Sequence, residues 1–334
     1  MWFLYGLILS PFHFLLSSLT TLLTTLFIRP SRQTEVKELT DLEAAKGTER
    51  NDATCKYPDN ITYICISSTV KAPEPLHGQV VYVSKGEMLA WGGTAILERL
   101  PSGAVVKTPI PNPYCLPEER DHRRNMRLEA EIYALIGDHP RIPRIINWDG
   151  EACCLTMEYL ENGNLKEYVR RNSQNITQQH RIRWCLQATE ALGVLHGHNV
   201  IHCDLSPRNF LLDSDLNLRI ADFGGASLCG SDPSATPATR FRHPGYDFNA
   251  APVFQDDIFS LGSLIYFIMT SSYPYEDLPS DKVEKLYEIN NFPDVSSITG
   301  GNIITQCWLR QAASAQYIYS SLAVIEVEES SKPL

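Results

Sequence analysis

The fold is decided by residues 200–213, which read VIHCDLSPRNFLLD. Two apolar runs, at residues 200–201 and 210–212, enclose a polar loop in which Asp204 and Asn209 stand five residues apart. A carboxylate and an amide on a loop between apolar runs are candidates for chemistry, because a hydrophobic core does not accommodate them. A second acid, Asp222, follows eighteen residues after Asp204, in the run IADFG of residues 220–224.

The sequence around this loop divides into a strand-rich half and a helix-rich half. Short apolar runs predict five strands, at residues 80–83, 94–97, 104–107, 144–148 and 153–159, and helical spacing predicts one helix over 121–136. Beyond Gly163 the pattern is helical, at residues 164–171, 177–198, 256–271, 281–290 and 303–322. We therefore expect two lobes, and a cleft between lobes is where a ligand binds.

The two loops together resemble the catalytic loop, H-R-D-x-x-x-x-N, and the metal-binding D-F-G of the protein kinase superfamily. Further motifs follow in the family's order. VVK at residues 105–107 resembles the strand lysine of V-A-I-K, EAEIY at 129–133 the helix C glutamate, and MEYLENGNL at 157–165 the hinge. DIFSLG at 257–262 resembles the start of helix F, and CW at 307–308 a late C-lobe helix. The loop is also similar to small, diverged kinase-like proteins of filamentous fungi.

This resemblance covers about residues 80–325 and implies an α+β, two-lobed protein-kinase-like fold. The small, β-rich N-lobe with helix C is expected over residues 76–160, and the larger, α-helical C-lobe over residues 161–325. ATP is implied between the lobes, with Mg²⁺ as the metal ion and a protein as the second substrate.

The family's catalytic residues carry over onto five positions of this sequence. Lys107 is implied to hold the α and β phosphates and to be held by Glu129, with Glu131 as the other register for the helix C glutamate. Asp222 is implied to bind Mg²⁺, with Asn209 on a second ion. Asp204 is implied to orient the substrate hydroxyl or accept its proton.

The nucleotide-binding residues carry over in the same way. Backbone groups of Glu158 and Leu160 are implied to meet adenine, with Met157 as the gatekeeper behind it. Gly92 and Gly93 stand where the glycine-rich loop covers the phosphates. They are adjacent and do not form G-x-G-x-x-G, which leaves the nucleotide affinity open.

Three further positions depart from the family pattern. Cys203 replaces the arginine of H-R-D, which usually receives the activation-loop phosphate, so no such switch is predicted. Gly245 replaces the glutamate of A-P-E, and with it a structural ion pair is lost. Ser206 replaces the usual lysine, and Arg208 is implied to neutralise the transferred phosphate in its place, or else is a surface arginine.

Three functions remain open at this point. The first is a protein kinase that uses ATP and Mg²⁺ on protein hydroxyls, with Ser/Thr as the default and Tyr allowed by Arg208. The second is a pseudokinase, a binding or scaffolding module, which the weak glycine loop favours. The third is a small-molecule kinase of the aminoglycoside or choline type, which the D-F-G and helix F motifs disfavour.

Composition limits the partners. Lys plus Arg number 29 against 39 Asp plus Glu, a net charge of −10, which argues against nucleic-acid binding because such proteins need a cationic face. The nine cysteines include no C-x-x-C pair. A disulfide framework or zinc site is therefore not expected, and a reducing compartment is.

The two ends of the chain differ from the central domain. Residues 1–28 carry no charged side chain, and Arg29, Arg32 and Lys37 follow them. This pattern predicts a transmembrane or signal-anchor segment with the kinase domain on the cytoplasmic side of a membrane, and otherwise a cytoplasmic protein. A cleaved signal peptide and an apolar segment packed on the domain are the alternatives. Residues 29–75 are expected to be a polar linker and residues 326–334 an acidic tail.

Overall fold

The computed structural model describes residues 61–67 and 69–331. Its first feature is a pair of parallel strands, β1 (Thr62–Ser67) and β2 (Gln79–Ser84), in register over six residues. We call residues 62–84 the N-terminal ribbon. A small apolar cluster of Tyr82, Ile96 and Ile110 lies beneath it, with Tyr63 packed alongside.

Behind the ribbon lies an antiparallel sheet of five strands in the order β3-β4-β5-β7-β6. Its strands are β3 (Glu87–Trp91), β4 (Ala95–Arg99), β5 (Val105–Pro109), β6 (Ile145–Asp149) and β7 (Cys154–Met157). Gly103, with a φ of 88°, makes the turn between β4 and β5, because the left-handed conformation carries no steric cost for glycine.

One long helix, α1 (Leu116–Ile136), packs against β5 and β7 of this sheet. Its buried face includes Met126, Ala130 and Tyr133, at the three- and four-residue spacing of one helix face. Glu129 lies on the same buried face and is the charged exception, with 1% of its surface exposed. The helix ends at Gly137, whose φ is 71°.

The second lobe is mostly helical, with four short strands around the polar loop. Its helices are α2 (Leu165–Asn172), α3 (Gln178–Gly197), α4 (Phe254–Thr270), α5 (Ser280–Glu288), α6 (Gly301–Trp308) and α7 (Ala315–Ser330). Its strands are β8 (Val200–Ile201), β9 (Phe210–Leu212), β10 (Leu218–Ile220) and β11 (Ser227–Leu228). β9 pairs with β10, and β8 with β11, so both apolar runs that flank the loop are anchored in ladders.

Helix α4 forms the centre of this lobe. It is buried on all sides, and α3 and α6 pack on it. The main apolar core runs without a break from Val105 and Tyr133 in the first lobe through Phe223 to Phe259 and Trp308 in the second. This continuous core fixes the two lobes around the loops that carry the polar residues.

Several sequence predictions need correction. The helix predicted over 303–322 is two helices, because Ser314 caps the start of α7 by accepting a hydrogen bond from the Tyr317 N–H, and Arg310 adopts a left-handed backbone. The predicted linker, residues 29–75, contains β1, so the predicted start of the domain at residue 76 is too late. Strand β3 was missed, and α7 continues through residues 326–330 of the predicted tail.

Among the described residues, every helix is too short or too polar to cross a membrane. The predicted anchor at residues 1–28 lies outside the described residues.

Candidate active site

A buried lysine stands at the centre of the site. Lys107 is the third residue of β5, and its ammonium group lies 2.6 Å from Glu129 Oε2 and 2.6 Å from Asp222 Oδ1. The side chains of Lys107 and Glu129 are 8% and 2% exposed, whereas that of Asp222 is 56% exposed. The lysine therefore joins the sheet, helix α1 and the second polar loop, and only the Asp222 end of the cluster opens to solvent. Glu131, the other candidate on α1, is exposed.

The charges in this cluster shift one another's proton affinities. Burial alone would lower the pKa of Lys107, but Asp222 and Glu129 outweigh it and raise that pKa. The pKa of Asp222 is lowered, chiefly by the charge of Lys107. Burial raises the pKa of Glu129, although Lys107 opposes the effect. One ammonium group thus compensates two carboxylates, and the site carries a net negative charge.

The backbone of the polar loop is held by a buried carboxylate from α4. Asp257, 1% exposed, accepts hydrogen bonds from the backbone N–H groups of His202 at 2.7 Å and Cys203 at 3.1 Å. Cys203 has a φ of 65°, in the left-handed region that costs a non-glycine residue about 1 kcal/mol or more. The two hydrogen bonds from Asp257 therefore hold a conformation that the loop would not adopt alone.

His202 braces the loop from the other side. Its Nδ1 accepts the N–H of Asp204 at 3.3 Å, so the ring proton is on Nε2, which donates to the carbonyl of Ala221 at 3.2 Å. The ring is buried, with 1% of the residue exposed. It links the loop of Asp204 to the residue before Asp222, as expected for a structural histidine.

Asp204 and Asn209 are brought together across the loop. The Asn209 side-chain nitrogen donates to the Asp204 carbonyl at 2.8 Å and to Asp204 Oδ2 at 3.1 Å. Burial raises the pKa of Asp204, while His202 and Asn209 oppose the shift. A carboxylate with a raised pKa in a fixed position is suited to accepting a proton.

Asp222 faces Lys107 because the next residue is anchored in the core. Phe223 is fully buried, 5.8 Å from the His202 ring and 4.9 Å from the Tyr133 ring. Asp222 itself has a φ of 71°, in the left-handed region that is uncommon for residues other than glycine. Gly224 follows, and a Cβ there would lie in van der Waals contact with Glu129 Oε2, at 3.5 Å.

The hinge predicted at residues 157–165 joins the lobes beside this cluster. Met157 ends β7 and is buried, and Leu160 is 6% exposed. The N–H of Glu158 is taken by the carbonyl of Arg144. Within the described ranges, neither the carbonyl of Glu158 nor the N–H of Leu160 has a backbone partner. The hinge therefore presents one acceptor and one donor, the pair that an adenine base requires.

The predicted glycine loop is a tight turn. The N–H of Gly92 donates to the carbonyl of Ala95 at 2.9 Å, and this hydrogen bond closes the turn around Gly93 and Thr94. All three residues from Gly92 to Thr94 are exposed. Across the described residues no hydrogen bond joins this turn to Lys107.

Arg208 lies apart from the buried cluster. The residue is exposed, and its guanidinium lies beside Tyr273, where it opposes the burial that raises the pKa of that tyrosine. Its charge also opposes the rise that burial causes in the pKa of Asp204. This position at the edge of the loop is compatible with contact to a substrate and with a surface role.

Sequence reasoning missed one residue next to the hinge. Arg219 on β10 donates to the Glu158 carboxylate at 2.6 Å and to Asp213 at 3.2 Å. The same Glu158 oxygen accepts the N–H of Arg144 at 2.6 Å, so the hinge side chain is tied to both lobes. No local pattern marks Arg219, because its partners are distant in sequence.

The residues present fit a magnesium ion held jointly with phosphate. No group of three or more His, Cys, Asp or Glu side chains forms a metal site in the part of the chain described here. Asp222 has a second carboxylate oxygen not used by Lys107, and Asn209 donates through nitrogen, leaving its side-chain oxygen as an acceptor. A carboxylate and an amide oxygen suit Mg²⁺, which commonly takes its remaining ligands from phosphate and water.

Comparison with known proteins identifies the family. The model of the protein kinase domain matches residues 115–313, which is more than half of the chain. The chain belongs to the protein kinase family. The predicted superfamily and the α+β, two-lobed fold are thereby confirmed.

Two of the matched relatives carry the name of a receptor tyrosine kinase. The human protein named receptor tyrosine-protein kinase erbB-4 is 28% identical over 232 residues, which span 64% of this chain and 17% of that protein. The mouse protein of the same name is 27% identical over the same length and coverage. The matched region is therefore a small part of either relative. The family match begins after Lys107, and the structure joins that residue to the matched region through Glu129.

Proposed function

We propose that this chain is an ATP-dependent protein kinase, which transfers the γ-phosphate of ATP to a protein hydroxyl. The observation that carries the proposal is the geometry around Lys107, whose ammonium group contacts Glu129 and Asp222 at 2.6 Å each. Phosphoryl transfer needs charge neutralisation and in-line placement more than covalent chemistry. The three residues, with Asp204 and Asn209, supply the groups for both.

In this proposal each residue has one task. Lys107 binds the α and β phosphates, and Glu129 keeps the ammonium group pointed at them. Asp222 and Asn209 hold Mg²⁺, which neutralises charge on the phosphate oxygens. Asp204 orients the substrate hydroxyl and accepts its proton, a role that its raised pKa supports.

The hinge supplies the base-binding groups. The carbonyl of Glu158 accepts from the exocyclic amine of adenine, and the N–H of Leu160 donates to a ring nitrogen. Support for this assignment comes from the lack of backbone partners for these two groups among the described residues. Met157, buried at the end of β7, closes the back of the pocket.

Serine or threonine is the default acceptor expected from the sequence, and tyrosine is the second candidate. Two observations favour tyrosine. The two relatives described above are named tyrosine-protein kinases. Arg208 stands exposed four residues after Asp204, where it can meet the phosphate of a longer side chain.

The test uses the full chain with Mg²⁺ and radiolabelled ATP, on itself, on a generic protein substrate and on hydroxyl metabolites. We expect incorporation into protein that is lost in Asp204→Asn, and phosphoamino-acid analysis then names the acceptor. Transfer to metabolites alone would contradict the proposal and favour a small-molecule kinase.

A pseudokinase is the alternative that one observation favours, namely the two-residue turn at Gly93 and Thr94. A turn this short offers few backbone N–H groups to phosphate. Magnesium-dependent ATP binding without any transfer would support that reading.

The location proposed from the sequence is a membrane, with residues 1–28 as the anchor and the kinase domain on the cytoplasmic side. Fractionation of cells that express the full chain, beside a chain lacking residues 1–28, tests it. We expect only the full chain in the membrane pellet, and equal distribution of the two would contradict the proposal.

A further inference from the structure

The N-terminal ribbon contacts the strands on either side of the glycine turn and the segment that leads into helix α1. Both border the proposed nucleotide site. It lies outside the family match, which begins at Cys115. Residues 69–76 of its connection are exposed, so the ribbon is held by its strands and by the end of that connection. Three sets of its contacts lead to the strands of the glycine turn or to the start of helix α1.

The first set of contacts reaches the strand that enters the glycine turn. The ring of Tyr63 packs edge-on against Trp91, with centroids 4.9 Å apart, and Tyr82 lies 6.0 Å from the same ring. Trp91 is the last residue of β3 and directly precedes Gly92. Two aromatic rings of the ribbon therefore hold the base of the turn.

The second set reaches the strand that leaves the turn. Glu98 on β4 is fully buried, and its carboxylate accepts hydrogen bonds from the Tyr82 hydroxyl, from Ser84 Oγ at 2.7 Å and from the Lys85 N–H at 2.9 Å. All three donors belong to the ribbon or to the residue directly after it. A buried carboxylate is costly without such donors, so β4 depends on the ribbon for this compensation.

The third set reaches the start of helix α1. The Tyr63 hydroxyl donates to the carbonyl of Pro111 at 3.0 Å, and the Gly78 N–H donates to the Tyr114 hydroxyl at 2.9 Å. Asn112, which directly follows Pro111, is bound to the first turn of α1. Its backbone N–H donates a hydrogen bond to the Glu119 carboxylate at 3.0 Å. The ribbon is therefore connected to the helix that carries Glu129.

We propose that the N-terminal ribbon positions the glycine turn and helix α1 for nucleotide binding, with Tyr63 as the positioning residue common to both. This inference rests on the proposed function. The turn contains only two glycines and closes in two residues, so its placement depends on what holds β3 and β4 from outside the cleft. Tyr63 contacts Trp91 on one side and Pro111 on the other, so its loss affects both.

The test compares variants of the full chain in Mg²⁺-dependent ATP binding, in steady-state kinetics and in melting temperature. Tyr63→Ala should weaken ATP binding at least about threefold, the effect of losing one ring-to-ring contact, with kcat within about twofold of the unmodified chain. Tyr63→Phe keeps the ring contact with Trp91 but loses the hydrogen bond to Pro111, so its ATP affinity should lie between those of Tyr63→Ala and the unmodified chain. Tyr317→Ala, which removes a 44% exposed tyrosine from α7, is the matched control and should leave ATP affinity unchanged.

Amide hydrogen exchange on the unmodified chain tests the same coupling between the ribbon and ATP binding, even when Tyr63→Ala fails to fold. ATP with Mg²⁺ should slow amide exchange in residues 79–84 together with residues 90–96, although β2 lies outside the cleft. Unchanged exchange in β2, or equal ATP affinity in Tyr63→Ala, overturns the inference alone. Absence of ATP binding by the unmodified chain overturns the proposed function, and this inference with it.

Discussion

Replacing Lys107 with methionine removes the only cation that contacts Glu129 among the described residues. Glu129 then stays buried, with its side chain 2% exposed, and has no compensating charge. Breaking a buried ion pair from one side costs about 3–5 kcal/mol of unfolding free energy. For a domain of this size each kcal/mol corresponds to about 2–4 °C, so the melting temperature should fall by about 6–20 °C.

The stability lost in Lys107→Met should depend on pH, because a buried carboxylate without a partner takes up a proton. Burial already raises the pKa of Glu129 above its ordinary value of 4.5, and removal of Lys107 raises it further. The folded state then binds more protons than the unfolded state at pH values between the two pKa values. Stability is therefore greatest below the unfolded pKa and declines as pH rises through the folded pKa.

The assay is thermal unfolding of the full chain at about pH 5, near the lower end of the expected window, and at about pH 8, toward its upper end. Lys107→Met should lose more stability at the higher pH, and Lys107→Met combined with Glu129→Leu should recover a large part of it. Equal melting temperatures for Lys107→Met and the unmodified chain at both pH values would show that Lys107 does not compensate the buried charge of Glu129. So would a double variant less stable than the single one.

Two further variants test the packing that supports the site, each in unfolding measurements on the full chain. Asp257→Ala should lower the free energy of unfolding by about 1–3 kcal/mol for each of the two backbone N–H groups that it leaves unpaired, at residues 202 and 203. Stability equal to that of the unmodified chain would mean that water replaces the carboxylate. Gly262→Ala should destabilise by about 1–3 kcal/mol, because its Cβ would lie 2.6 Å from the Cys307 Cβ. Gly197→Ala is the matched control, because its Cβ would meet nothing within 4 Å, and it should leave stability unchanged or raise it slightly. Equal effects of the two alanine substitutions would contradict the role of close packing at Gly262.

The polar residues of the site could be predicted from the sequence because each of them interrupts a local apolar pattern. Asp204, Asn209 and Asp222 stand on loops beside short apolar runs that form strands, and Lys107 follows two buried valines. Their order along the chain carried the family resemblance. The choice of Glu129 over Glu131 follows the helix period, since Glu129 shares a face with buried neighbours at three- and four-residue spacing.

The parts that escaped prediction are those set by contacts between distant residues. Strand β1 pairs in parallel with β2 across a polar connection, and parallel pairing leaves no turn signal. Glu98 and Arg219 look like ordinary surface charges in the sequence, and only tertiary packing brings them to their hydrogen-bond and ion-pair partners. The break between α6 and α7 contains good helix formers, so local propensity favours continuing the helix there.

The central claim is that the residues around Lys107 and Asp204 bind ATP and transfer its phosphate. The most direct measurement compares the unmodified full chain with Asp204→Asn in two assays on the same preparations, magnesium-dependent ATP binding and transfer of radiolabelled phosphate to protein. We predict that the unmodified chain and Asp204→Asn bind ATP equally well. Only the unmodified chain should transfer phosphate to protein. Transfer that persists in Asp204→Asn would contradict the assigned role of Asp204, and absence of ATP binding by the unmodified chain would contradict the account as a whole.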